Sequence, residues 1–273
     1  MLASWIGVDT HGIGSAYIVA DSRFSWCSTK TNHVYDYGKK VFASKLYPEI
    51  FGYVGDVLFP SVVLSQLVDI IDSELLFKKD ISCIKKSEIV YDFLSEKINV
   101  YPKDYLGSEI SIIHISRDTI VHGYPQFYAF QYSLKKEGEW QLDVIEMPNV
   151  SGLLTVLGSG SKEFRNNYEN FQKGNNSDTS RNAFHCFSYT LSNIKCCSCG
   201  GAPQLVGLYR KPNSSGKHFG IIYNGQRYFL GSPIQTAQYQ NIEWRNELFE
   251  LVDGETMVIF EDAERQPIGI KTS

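Results

Sequence analysis

Helix-forming segments occur in two consecutive pairs, with strands before, between and after them. Residues 57–77 place Val63, Leu64, Leu67, Val68, Ile71 and Leu75 at steps of three and four, which lines them along one helix face. Pro60 falls in the first turn, where a missing N–H costs little. A second helix is predicted near 87–98, with Ile89, Val90, Phe93, Leu94 and Ile98 on one face. The other pair, near 161–171 and 180–194, is divided by the loop KGNNSD. Paired helices do not suit a βαβ alternation, in which single helices separate parallel strands. They suit two stacked sheets with a helical layer outside each. The expected fold is therefore α+β, a four-layer αββα sandwich.

The strands are read from short apolar runs bounded by turn residues. The first runs from about Ser4 to Val8, and the second from about Ala16 to Asp21. Gly12 and Gly14 supply the turn between them. The second run, AYIVAD, is almost continuously apolar, which suits burial on both faces. A polar stretch follows to Tyr37, then two short strands ending at Gly52–Asp56. Three more begin at Glu109, Gln126 and Trp140, with the polar LKKEGE joining the last two. GLLTVLGSG gives a strand and then the Gly158–Gly160 turn. PQLVGLYR, KHFGIIYN and QRYFLG close the pattern, with the Asn-Gly of YNGQ as a hairpin signal.

At 273 residues the chain reads as one large domain, and 43% apolar content supports a sizeable core. The net charge of -4 argues against nucleic acid or an anionic membrane as partner. No apolar run approaches the ~20 residues that span a bilayer. The first residues lack the basic segment and continuous apolar run of a secretory signal, so a cytoplasmic location is expected. The six cysteines do not have the spacing of a small disulfide framework and are read as reduced. His185, Cys186 and the CCSC run at 196–199 offer metal-ligating atoms, but not at the spacing of a zinc ribbon or finger. No metal and no cofactor are expected.

Five segments resemble the N-terminal nucleophile hydrolases, in particular the proteasome β-subunit and the peptidase subunit of the bacterial two-component ATP-dependent protease. IGVDTHGIGSAYIVADSR resembles the family's opening hairpin with its Ala-Asp-x-Arg ending. GKKVF is similar to its lysine-bearing segment, GYVGD to its glycine turn before the first helix, and VLGSGS to its Gly-Ser-Gly turn before the third helix. CCSCGGAPQLVGL sits where the family has an Asp-x-x-Ser-Gly-Gly segment leading into a strand. The likeness spans about Ser4 to Leu208. Residues from about His218 to Ser273 look like a subfamily extension within the same domain.

The resemblance implies a chemistry and assigns its parts. In such enzymes the side chain of residue one attacks a peptide carbonyl while its own α-amine takes the proton. A lysine, held by an aspartate at the end of the second strand, keeps the nucleophile reactive. A backbone N–H at the glycine turn stabilises the oxyanion. Asp21 matches the aspartate, Lys40 the lysine, Gly55 the turn glycine (with Gly52 as the other choice) and Ser159 the serine of the Gly-Ser-Gly turn. The distal Asp and Ser that orient the amine fall on Cys196 and Cys199. A thiol of pKa about 8.5 is a poorer partner for an ammonium than a carboxylate is. Each residue also has a plainer reading. Asp21 and Lys40 would suit a structural ion pair, Gly55 a turn glycine and Ser159 a helix cap.

Residue one falls on Ala3 or Ser4, depending on the hairpin turn. Ser4 is the candidate nucleophile, and its plainer reading is a polar residue opening a strand. Leu2 disfavours removal of Met1, so use of Ser4 requires cleavage after Ala3. Two functions follow. One is a threonine/serine-type peptidase acting on peptide or protein after processing, within a self-assembling, ring-like particle. The other is an inactive proteasome-like structural or binding subunit. The chain has no Gly-x4-Gly-Lys-[Ser/Thr] loop, so an ATPase unfolding partner would be a separate protein.

Overall fold

The structure, a computed structural model, describes residues 1–27, 32–78, 81–118, 125–134, 139–235 and 238–263. Most of the LKKEGE connection lies outside the described residues. The chain opens with β1 (Leu2–Asp9), β2 (Gly12–Ala20), β3 (Phe24–Cys27), β4 (Asn32–Tyr35), β5 (Val41–Ala43) and β6 (Glu49–Gly55). Helices α1 (Leu58–Asp72) and α2 (Cys83–Val100) follow, then β7 (Ile110–Arg117), β8 (Phe127–Leu134), β9 (Trp140–Ile145) and β10 (Gly152–Leu157). After α3 (Ser161–Phe171) and α4 (Ser180–Asn193) come β11 (Gln204–Tyr209), β12 (Lys217–Tyr223), β13 (Gln226–Phe229), β14 (Ser232–Pro233), β15 (Trp244–Arg245) and β16 (Leu251–Val252).

The expected four-layer αββα sandwich is not the arrangement found. The described residues are mostly antiparallel sheet, divided among three sheets, with four α-helices. The nine-stranded sheet runs β10-β1-β2-β11-β12-β13-β14, with β15 added to β12 and β16 to β15. The five-stranded sheet runs β5-β6-β7-β8-β9. The third sheet is β3 and β4 alone. Two features break the expected layering. The stretch read as polar connection folds into its own ribbon, which leaves Trp26, Val34 and Tyr35 exposed. At the other end, β12 pairs with β11 only through its first half. Its second half takes β13 on one side and β15, in parallel, on the other. That switch creates a separate small core of Ile222, Trp244 and Val252.

Alternation along β1 decides what each of its residues can reach. Met1, Ala3 and Trp5 point into a core shared with Tyr17, Phe164, Phe184, Phe187 and Cys199. Leu2 and Ile6 point the other way, into a core with Ile18, Val41, Ile50, Ile113 and Val206. β1 is hydrogen-bonded on both sides, to β2 and β10. A strand paired on both edges and buried on both faces fixes its register firmly, because a slip by one residue exchanges the two cores. A third core gathers α1 and α2 against Phe51, Tyr53, Ile112 and Phe130. The second helix begins four residues before the predicted point because Ser82 caps it, accepting from the Lys85 N–H at 3.2 Å. The stretch that begins at His218 contributes to the main packing through Phe219, Ile221 and Phe249, which belong to the core that holds Trp5.

One charged cluster is enclosed among the strands and α2. Glu49 accepts from Lys86 Nζ at 2.6 Å and from Ser116 Oγ at 3.0 Å, and its other oxygen lies 2.7 Å from His114 Nε2. Tyr132 stands 3.2 Å from His114 Nδ1 and donates to the Ser87 carbonyl. Burial alone would raise the Glu49 carboxyl, but His114 and Lys86 hold it below the usual carboxylate range.

Candidate functional site: a buried amine at the end of the first strand

The antiparallel pairing of β1 with β2 sets Leu2 opposite Ala20, so the next residues outward, Met1 and Asp21, face each other. The Asp21 N–H donates to the Met1 carbonyl at 3.1 Å. The Met1 α-amine donates to Asp21 Oδ1 at 2.6 Å, and neither residue's side chain is exposed. Lys40, just ahead of β5, donates from Nζ to the same oxygen at 2.8 Å. The second carboxylate oxygen accepts from the backbone N–H groups of Arg23 at 3.1 Å and Gly200 at 3.0 Å. Burial works to raise this carboxyl. The amine and Lys40 outweigh it, and Asp21 sits below the ordinary carboxylate value.

Gln204, which opens β11, holds the surrounding loops in place. Its Oε1 accepts from the backbone N–H of Lys40 at 2.9 Å. Its Nε2 donates to the carbonyls of Asp21 and Gly38 and to Ser22 Oγ. Lys40 therefore reaches Asp21 from a backbone pinned to the strand beside β2. A lone Gln at a strand start carries no sequence signal, and the sequence reading passed over it. The Arg23–Asp36 pair, bidentate at 2.6 and 2.9 Å, closes the outer side.

On the opposite side the amine meets the turn before α3 and the CCSC segment. Cys199 Sγ is 3.8 Å from the Met1 amine and 3.3 Å from Ser159 Oγ. A Cβ at Gly160 would stand 2.9 Å from Met1 Sδ and 3.0 Å from Cys199 Sγ, so a glycine is needed for both side chains to fit. A cavity of about 500 Å³ opens beside Cys199, lined by Arg23, Asp36, Gly200, Tyr223 and Tyr228 among others.

The structure thus gathers Asp21, Lys40, Ser159 and Cys199 around one amine, with Cys196 joined to Cys199 by a backbone hydrogen bond. Residue one of that group is Met1. Ser4 lies three positions along β1, fully buried, on the strand face opposite Met1. Its Oγ finds no hydrogen-bond partner among the described residues. Gly55 ends β6 with φ of 102°, and a Cβ there would run into the Glu109 carbonyl. The atoms nearest such a Cβ belong to Glu109 and Ile110, in the approach to β7. Gly52 packs against Leu2 and Ile18. Among the described residues no group of three or more His, Cys, Asp or Glu side chains converges as a metal site. No described helix is long and apolar enough to cross a membrane.

No family model matches the chain, and no curated protein matches it. Solved structures do. The chain is similar to Anbu (ancestral beta-subunit) from Yersinia bercovieri, with a TM-score of 0.51 at 11% identity, covering 85% of this chain and 88% of that one. Anbu from Hyphomicrobium sp. strain MC1 aligns with a TM-score of 0.43 at 12% identity, over 80% of this chain and 87% of that one. At such identities the likeness to the Yersinia protein is one of fold.

Proposed function

We propose that this protein is a non-catalytic, proteasome-like subunit whose residue-one site serves as a buried structural ion cluster. The observation that carries this reading is the occupant of the site. Met1 supplies the amine held by Asp21, and its side chain ends in a thioether, which has no proton to give up and is no acyl-transfer nucleophile. Asp21 and Lys40 then act as an ion pair that fixes two strand ends. Ser159, Cys196 and Cys199 pack the far side of the amine, and Gly55 shapes the β6–β7 junction. The fold likeness to a beta-subunit, with the resemblance in the opening hairpin, supports self-assembly into a homo-oligomer.

The other reading makes Ser4 an N-terminal nucleophile acting on peptide or protein substrates, with a separate ATPase as partner. It requires loss of Met1–Ala3, which are buried, with Leu2 and Ala3 paired to both β2 and β10. It also requires the Ser4 side chain to work from the opposite face of the strand. Intact mass and a fluorogenic peptide assay decide between the two. Retained Met1, no hydrolysis and no labelling by an epoxyketone support the non-catalytic reading. A species beginning at Ser4 that hydrolyses peptide and is labelled there overturns it. Native mass spectrometry tests the assembly, and a monomer at micromolar concentration counts against a subunit role.

A further inference from the structure

Two cysteines stand at the two ends of one tight turn at the edge of the amine site. The Cys199 N–H donates to the Cys196 carbonyl at 3.1 Å, closing a tight turn over Cys197 and Ser198. Such a turn holds its end Cα atoms within about 7 Å, and a disulfide needs about 4.4–6.8 Å. Both cysteines are free, and the Ser159 hydroxyl lies 3.3 Å from the Cys199 sulfur.

Their surroundings differ in the way a working dithiol requires. Cys196 is partly exposed, whereas Cys199 is 2% exposed. Burial works against the Cys196 thiolate. Hydrogen bonds from Ser159, the Ser198 backbone and Cys199, with the Met1 ammonium, bring it below the ordinary thiol value. At Cys199 burial wins over the ammonium, and that thiol is pushed up. The outer sulfur is therefore the readier nucleophile, and the inner one is kept as a thiol until a neighbouring disulfide appears.

We propose that Cys196 and Cys199 form a thiol–disulfide exchange site for low-molecular-weight disulfides of the glutathione class, with Cys196 attacking and Cys199 resolving. The Cys196 thiolate bonds to one sulfur of the incoming disulfide, whose S–S bond breaks and releases one thiolate. Cys199, giving its proton to solvent, then attacks the Cys196 sulfur. That step forms the Cys196–Cys199 bond and releases the second thiolate. Two electrons pass from the protein dithiol to the incoming disulfide, and the two protons released end on the two small thiols formed. Closure draws the Cys199 sulfur toward Cys196 and away from the Met1 amine, so the redox state is felt at the buried ion cluster. This site goes beyond the structural role proposed above, and its readout is thiol chemistry, independent of any peptide hydrolysis.

The test is thiol mapping of the full, reduced chain exposed to graded ratios of oxidised to reduced glutathione. Acid quenching, alkylation and peptide mass analysis then report each cysteine. The expected result is joint loss of the Cys196 and Cys199 alkylation sites as an internal link, reversed by dithiothreitol. In Cys199→Ser the glutathione adduct stops at Cys196. In Cys196→Ser modification of Cys199 slows by more than about tenfold. An adduct confined to the exposed Cys197 overturns the proposal, as does a dominant link through Cys197. So does a Cys196–Cys199 pair left reduced at ratios that modify Cys197. Mapping of the unsubstituted chain answers the question even where a variant does not fold, and Cys197→Ser removes the competing thiol.

Discussion

The carboxylate of Asp21 lies 2.6 Å from the α-amine of Met1, and both groups are closed off from solvent. Removing two charges from water costs several kcal/mol each, and their attraction repays that only when the remaining lone pairs are also met. Asp21 meets them with Lys40 Nζ on one oxygen and two backbone N–H groups on the other. Such a cluster punishes the loss of one member far more than it rewards the presence of all.

Asp21→Asn should therefore lower stability by about 3–5 kcal/mol at neutral pH, because it strands the Met1 and Lys40 ammonium groups. Chemical denaturation checks this. The pH dependence follows from the depressed carboxyl of Asp21. Its stabilisation is present above the unfolded value near about 4 and is lost as pH falls through the lower folded value. The unsubstituted protein should thus weaken on acidification, and Asp21→Asn should weaken less steeply. Glu49 is depressed in the same sense and accounts for part of the slope that remains.

Ser4→Ala is expected to raise stability by about 1 kcal/mol, since it removes a buried hydroxyl without a hydrogen-bond partner. The thermal midpoint is the measurement. It should leave any peptide hydrolysis by the preparation unchanged, whereas loss of activity would identify Ser4 as the nucleophile after all.

Glu49 and Lys86 suit a double-mutant cycle. Glu49→Leu leaves a buried ammonium and takes the carboxylate from His114 Nε2, and Lys86→Met leaves a buried carboxylate without its ammonium. Each single change should cost about 3–5 kcal/mol, and the double change markedly less than their sum. Additive losses in urea unfolding would show that the two side chains are not coupled.

Gly55→Ala should cost about 2–4 kcal/mol, combining a φ of 102° with a clash against backbone rather than a movable side chain. Hydrogen exchange should show the loss first at the Gly55–Ile110 end of the β6–β7 pairing. Protection there equal to that of the unsubstituted protein would contradict this account.

What could be read in the sequence was whatever depends on position relative to a strand end. Asp21 after β2 and Lys40 before β5 were legible through the resemblance of the opening hairpin and of GKKVF, whose marker residues stand at strand ends. The occupant of the amine site was not, because β1 lacks the alternation that reveals parity. Its first five residues, and Met1 before them, are all buried, so nothing in their hydropathy tells which face Met1 or Ser4 takes. The pair β15 and β16 was out of reach for another reason, since two residues each are too few to show a period. The ribbon of β3 and β4 was hidden by exposure, its aromatic residues standing among polar ones. In CCSC the eye goes to adjacent cysteines and metals. The turn, closed by a backbone hydrogen bond between the first and last of them, is what singles out that pair.

Trp5 stacks on Tyr17 with ring centroids 5.2 Å apart and meets Phe249 edge-on at 6.1 Å. These aromatic rings come from opposite ends of the polypeptide. During synthesis Tyr17 can cover one side of Trp5 early, but the edge that meets Phe249 stays uncovered until residue 249 has been made. Contacts so distant in sequence slow folding and lengthen the interval in which sticky intermediates exist. The growing chain is therefore most vulnerable at its oldest residues, and a chaperone that shields the first hairpin would have the greatest effect on yield.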